Sequence, residues 1–321
     1  MKDARKAGHH LRSSHCVVAC AFLMGSGNAV AQVSMATGWD VSFRRDSFDW
    51  NIANTGGPPD ILSELTWRDL NIRQLRAKLE LRERAAWFSG NVGYGKITVG
   101  TNQDSDYDES GRTFEFSRSN NSARGDVADS DFRFGYEFEL AAQHESRFGL
   151  SPFLGISQHH QNFDIVDGYQ TISTPSRRGF GTPGPVGPID DLHSSYDARW
   201  RGIAAGLMAK AIINKSFDFF VSAEGYFRGT YRAEADWNLS TSFQHPVSFR
   251  HVANASGYAL SLGGSYHWGR ACAFDMSLFT TSWDADPGTD TTFYVNGASQ
   301  STTLNDVNWT SRGVRLGFTC N

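Results

Sequence analysis

No segment of this 321-residue chain stays apolar over the roughly 20 residues that a membrane-crossing helix requires. Cysteine is scarce, with four in all, and none is arranged in the paired spacing of a structural metal site. The chain has no Gly-rich phosphate cradle and no Ser-nucleophile elbow, so neither nucleotide chemistry nor serine hydrolysis has its usual sequence support. Lys/Arg stripes, long charge runs and low-complexity tails are also missing. With a net charge of −4, nucleic acid is not an expected partner.

What is present begins with an export signal. Lys2, Arg5, Lys6 and Arg12 form a basic start, Cys16 to Met24 is a short apolar run, and Ala29-Val30-Ala31 supplies small residues for a peptidase. Residues 1–31 are read as a cleaved signal peptide, with processing before Gln32. No lipid-attachment cysteine follows. Its removal leaves a more acidic mature chain with two cysteines, Cys272 and Cys320.

Phe132 to Leu140 reads FRFGYEFEL. Phe132, Phe134, Tyr136, Phe138 and Leu140 share one face of a strand, and Arg133, Gly135, Glu137 and Glu139 share the other. The pattern recurs along most of residues 32–321, and behind an export signal it predicts an all-β, ten-stranded antiparallel up-and-down transmembrane β-barrel. A secreted β-sandwich is the competing soluble fold. The strands are expected at about 34–45, 61–81, 86–99, 132–140, 148–164, 197–213, 217–234, 257–268, 272–283 and 308–320. Phe217, Phe219, Val221 and Phe227 face outward on the seventh, with Asp218, Ser222, Glu224 and Arg228 inward. Slips in the alternation near Arg68 to Gln74 and near Arg312 predict bulges.

Short connections at 82–85, 142–146, 214–215 and 269–270 alternate with five long ones at about 46–60, 101–130, 165–196, 236–256 and 284–307. Short periplasmic turns and long extracellular loops are the outer-membrane pattern, so a bacterial outer-membrane location is expected. The loop at 165–196 is rich in Gly and Pro and is read as mobile. At this strand number a polar interior filled by side chains is expected, which disfavours a diffusion pore. Cys272 opens the ninth strand and Cys320 closes the tenth, neighbours at one end, so a cross-strand disulfide is the natural expectation.

The loop after the third strand carries Asp104-Ser105-Asp106-Tyr107-Asp108-Glu109, followed by Glu115, Asp126, Asp129 and Asp131. Carboxylates at alternate positions cannot all ionise cheaply if they converge, and such crowding can raise one toward general-base work on water. Asp104, Asp106, Asp108 and Glu115 also occupy positions one, three, five and twelve of a calcium-loop pattern. Glu109 stands where that pattern wants Gly, and no helices flank it.

At this run the chain resembles the omptins, ten-stranded outer-membrane endopeptidases. Leu65-Thr66-Trp67 looks like the family's second hairpin arm, and Asp104-x-Asp106-Tyr107 is similar to its catalytic aspartate pair. The resemblance implies a water held between Asp104 and Asp106 and an Asp-His dyad beyond the seventh strand. Asp236 matches that dyad's aspartate. Asn238 stands where its histidine belongs, and the nearest histidine is His245. Asn does not titrate near neutrality and cannot be the base. The resemblance further implies cleavage near basic residues and lipopolysaccharide as a partner, with no cofactor.

Two function classes follow: an omptin-like surface protein with an acidic extracellular cleft acting as an endopeptidase, or a non-catalytic barrel serving as adhesin, structural or cation-binding module. His159-His160 are read as strand-end residues, Glu224 and Arg228 as pairing across the interior, and Trp87, Trp200, Trp268 and Trp283 as an interfacial aromatic girdle.

Overall fold

Residues 33–269 and 271–321 are described by the computed structural model. The expected signal peptide and its cleavage point lie outside the described residues. Twelve antiparallel strand segments follow in order: β1 (Ser34–Ile52), β2 (Ser63–Glu83), β3 (Ala86–Tyr107), β4 (Glu115–Tyr136), β5 (Phe138–Gln143), β6 (Ser146–Ser173), β7 (Gly187–Ile212), β8 (Phe217–Asp236), β9 (Phe249–Trp268), β10 (Cys272–Ala285), β11 (Gly288–Phe293) and β12 (Ser299–Cys320). They make ten staves. β5 continues β4 along β6, and β11 continues β10 upward between β9 and β12. The ring closes where β1 pairs with β12, from Thr37 opposite Cys320 to Ile52 opposite Leu304.

Closure fixes what each face of the ribbon meets. Outward positions form an apolar belt, with Val92 50%, Phe134 62% and Leu154 62% exposed. FRFGYEFEL behaves as its alternation predicts: its aromatic side chains are exposed, while Arg133 turns inward to Glu224 at 2.5 Å. Gly135, on that inner face, is required to be bare, because a Cβ there would overlap the Trp87 ring. Cys272 and Cys320 are directly opposed in register and form the expected disulfide, closing the last hairpin.

The interior differs from a uniformly polar filling. At belt level it is polar, as expected. Arg44 reaches Asp129 at 2.7 Å, Lys78 reaches Asp275 at 3.1 Å, and His159 sits between Asp129 (2.9 Å) and the Ser157 hydroxyl (2.9 Å). Above the belt the lumen is filled by aromatic side chains. Phe48, Trp67, Phe163, Tyr196, Trp200, Tyr231 and Trp283 have no exposure at all. Trp200 packs on Tyr231 at 4.4 Å and Trp283 stacks on Tyr226 at 4.5 Å.

This upper core corrects several expectations. Strands run on above the belt wherever their inward residues can bury against it, so the connections shorten to 53–62, 108–114, 174–186, 237–248 and 294–298. Trp200 and Trp283 belong to the core and Trp87 lies inside against Phe153, leaving Trp268 alone of that set at the surface. Glu224 pairs with Arg133 instead of Arg228, which points outward at a bulge with φ +49°. The slip near Arg68 is a bulge holding Asp69 at φ +54°, whereas the alternation is continuous through Arg312. His159 is a lumen residue, and His160 faces outward to Asp197 at 2.7 Å.

The filled lumen yields an expectation for stability. Trp200→Ala should cost about 3–5 kcal/mol, read as an earlier urea transition of detergent-folded protein. An unchanged transition would mean that the aromatic layer is not a packed core.

Candidate functional site: an acidic and aromatic cleft

Above the aromatic core the barrel opens into a cleft of about 670 Å³ at the long-loop end. Asp104 and Asp106 sit at alternate positions of β3, so both point to one side of the strand, and both line the cleft. Tyr107 turns away and donates from its hydroxyl to Glu64 at 3.3 Å. Burial, reinforced by the charge of Asp106, pushes Asp104 well above the usual carboxylate range. Burial likewise raises Asp106 to about 6. Hydrogen bonds from Ser63 and Ser117 pull it down, and the charge of Glu115 adds to the rise. Their titrations belong to the pair, which cannot give up both protons freely at neutral pH.

A third carboxylate, Asp290 on β11, lines the same cleft. Its segment falls in the expected connection at 284–307, where no sequence feature singles it out. The available signal was the strand alternation of Gly288–Phe293 opposite Phe249–Val252. Asp290 faces fully buried His251, whose Nε2 lies 3.2 Å from Oδ1 and whose Nδ1 lies 2.8 Å from the Tyr196 hydroxyl. Seven aromatic side chains complete the lining, including Trp50, Trp237 and Phe249, and among the described residues no Lys, Arg or His lines it.

Asp236, at the end of β8, is not among the lining residues, although Trp237, Ser240 and Phe243 beside it are. Its carboxylate meets His245 Nδ1 at 2.5 Å. The other ring nitrogen, Nε2, lies 3.1 Å from the Ser240 carbonyl. An acceptor oxygen stands at each ring nitrogen, an arrangement that suits the doubly protonated imidazolium. The Asp236 hydrogen bond, followed by the Ser240 carbonyl, raises the His245 pKa above its ordinary value. Asn238 is occupied too. It accepts from His193 N–H and the Ser194 hydroxyl, each at 3.0 Å, and donates to the Asp191 carbonyl at 2.8 Å.

The remaining members of the calcium-loop pattern are committed elsewhere. Asp108 accepts from the Ser176 hydroxyl and Arg177 N–H, both at 2.5 Å, and Glu115 pairs with Arg118. With Arg177 also lying 3.7 Å over the Phe114 ring, these bonds pin the Gly/Pro-rich loop to the rim.

Comparison with known proteins shows a family and a likeness of fold. A family model described as "Pom: Protochlamydia outer membrane protein" matches residues 38–321. The outer membrane protease OmpT of Escherichia coli is similar in fold, with a TM-score of 0.71 at 11% identity over 89% of this chain and 96% of that one. The outer membrane protein OprG of Pseudomonas aeruginosa also matches, with a TM-score of 0.32 at 11% identity over 89% of this chain and 96% of that chain. No curated protein sequence matches.

The His245 staple predicts a pH response. A raised folded-state pKa means that its contribution is complete below the ordinary imidazole value of about 6.5 and fades as pH rises through the raised value. Proteolytic cutting within 237–248 should therefore speed up above neutrality in the native chain and be pH-independent in His245→Gln. A native cutting rate that falls with rising pH would contradict the assignment.

Proposed function

This chain belongs to the Protochlamydia outer membrane protein family, and we propose that it is a non-conducting surface receptor whose cleft binds basic side chains of extracellular peptides. The observation that carries this reading is a cavity walled by three carboxylates with no cationic side chain among the residues that line it. Desolvated carboxylates without counter-charge recruit a cation, a proton or water. Asp104 and Asp106 hold protons at low pH and lose them to solvent as pH rises, which frees their carboxylates to bind a cation.

Peptide hydrolysis is the second reading, favoured by the raised Asp104 and Asp106. A carboxyl and a carboxylate sharing one proton can hold and polarise water between them. In that reading Asp236 would orient His245, whose Nδ1 it meets at 2.5 Å, although Asp236 is not among the residues that line the cleft.

Lipopolysaccharide is the proposed membrane partner. Just above the belt, cations stand directly opposite one another on neighbouring strands: Arg45 and Arg312, Arg73 and Lys96, Arg199 and Arg232. Like charges in that position destabilise a sheet; Arg45, Lys96 and Arg199 each meet a carboxylate, Asp69, Asp126 and Asp197, and among the described residues Arg312, Arg73 and Arg232 form no ion pair and are left to an anion from outside. A groove of about 720 Å³ on the outer wall is lined by Arg199, Arg201, Arg232 and Arg250 with two carboxylates, Asp197 and Glu234, and its surplus of cations suits phosphate groups of the outer leaflet.

The deciding experiment presents a dibasic fluorogenic peptide to mature protein refolded in detergent with lipopolysaccharide. Binding without cleavage, strengthening between pH 5 and 7 and flattened by Asp106→Asn, is the receptor outcome. Cleavage abolished by Asp106→Asn is the hydrolase outcome, and no association at any pH defeats both. Separately, the Arg199→Ala, Arg232→Ala pair should weaken lipopolysaccharide retention by roughly tenfold or more, at about 1 kcal/mol per surface cation. Unchanged retention removes the phosphate assignment.

A further inference from the structure

The lumen at belt level pairs its charges unevenly. A cavity of about 250 Å³ lies inside the wall, and Arg76 of β2 and Arg315 of β12 both line it. The carboxylates on the same lining are held by closer partners. Asp40 is nearer to Lys78 (3.4 Å) than to Arg76 (3.7 Å). Asp131 accepts from the Ser157 hydroxyl at 2.5 Å and lies 3.6 Å from Arg133, against 4.0 Å from Arg76. Glu224 is held by Arg133 through both oxygens, at 2.5 and 2.8 Å, and Glu80 is held by Arg82 at 3.1 Å.

Arg76, only 7% exposed, is thus left with two long contacts. A charge-assisted bond from guanidinium to carboxylate is about 2.7–2.9 Å long. Arg315 has less still. Among the described residues it forms no ion pair, and its buried Nε has no hydrogen-bond partner. Its guanidinium rests 3.7 Å over the Phe279 ring, which fixes its place and supplies no acceptor atom. The charges facing it are Arg76 and Arg133 as well as Asp40 and Asp131.

The strand register adds hydroxyls. Ser42 of β1 and Ser277 of β10 stand directly opposite Arg315 on its two sides. Ser277 lines the cavity, and the Ser42 hydroxyl is buried without a partner. Two groups able to donate therefore flank the unpaired guanidinium. Lipid surrounds the wall at this height, so a cation here has little solvent to replace a counter-charge.

We propose that this cavity binds one small monovalent anion of the chloride class, between Arg76 and Arg315, with the Ser277 hydroxyl as a further donor. Asp40 and Asp131 on the same lining repel additional negative charge and so disfavour sulfate and phosphate. The anion enters from the periplasmic side: Lys78, Arg82, Phe220 and Ser277 line both this cavity and one of about 760 Å³ at the short-turn end. Bound there, it acts as a clasp. β1 lies between β2 and β12, so an ion held by both arginines spans the seam that closes the ring. The site is independent of what the extracellular cleft binds.

The test follows the heat-induced gel-mobility transition of the refolded barrel in zwitterionic detergent, exchanging chloride for gluconate at constant ionic strength. Chloride at about 150 mM should raise the transition by roughly 3 °C over gluconate, as a site-bound ligand does. Bromide should match chloride, and sulfate should not. Bromide-soaked crystals of native protein should show an anomalous peak between Arg76 and Arg315. Arg315→Met should remove the chloride response, and Ser277→Ala should raise the half-saturating chloride concentration about fivefold or more. Equal transitions in chloride and gluconate overturn the proposal, because water then suffices. Sulfate acting as strongly as chloride overturns the monovalent assignment. A chloride response unchanged in Arg315→Met, or no bromide peak at the arginine pair, also overturns it, and the peak decides even if that variant fails to fold.

Discussion

Backbone amides in a bilayer can be satisfied only by one another, and from that constraint the rest of this molecule follows. A sheet of ten staves has two raw edges, β1 and β12, and their pairing from Thr37–Cys320 to Ile52–Leu304, with one register shift at Asn51/Ile52, removes both. Once closed, the period-two alternation of each strand becomes a division between lipid and lumen. The belt residues then need no partners inside the protein. The inward residues, however, must fill a narrow cylinder completely.

The chain fills that cylinder with two chemistries. At belt level arginine, lysine and aspartate neutralise one another across the lumen, with Arg44–Asp129 and Arg133–Glu224 as close pairs. Above the belt, where water surrounds the outside of the wall, the interior is aromatic. The inversion is physically consistent. A buried apolar layer is stabilised when the alternative is water, and the strand extensions above the belt have that alternative. The core also makes the extensions rigid, and rigidity is what holds side chains from β1, β3, β9 and β11 around one cleft.

The cleft depends on this scaffold in a specific way. Asp104 and Asp106 could stay ionised on a solvated loop. Placed on a strand that borders the core, they lose solvent and their pKa values rise. Asp290 is held beside an aromatic corner by a histidine with no exposure. By contrast, Asp236 and His245 satisfy each other and a backbone carbonyl, a loop fastening outside the cleft lining. Similarity of fold to OmpT extends over most of both chains.

Local alternation was enough to establish the barrel, the outward set on β8 and the opposition of Cys272 and Cys320, whereas Asp104 and Asp106 read as loop residues and gained a shared direction only because β3 runs on to Tyr107. These are consequences of a period that each strand carries within itself. The extent of the strands above the belt was not legible, because it depends on inward residues such as Phe48, Phe163 and Tyr231 meeting from distant staves. For the same reason Trp200 and Trp283 read as girdle residues by sequence and became core by closure. The approach of His245 to Asp236 depends on how the 237–248 loop folds back, and Asp290 joined the cleft only when β11 slotted between β9 and β12. Period fixes which face a side chain takes; only the closed ring decides what it finds there.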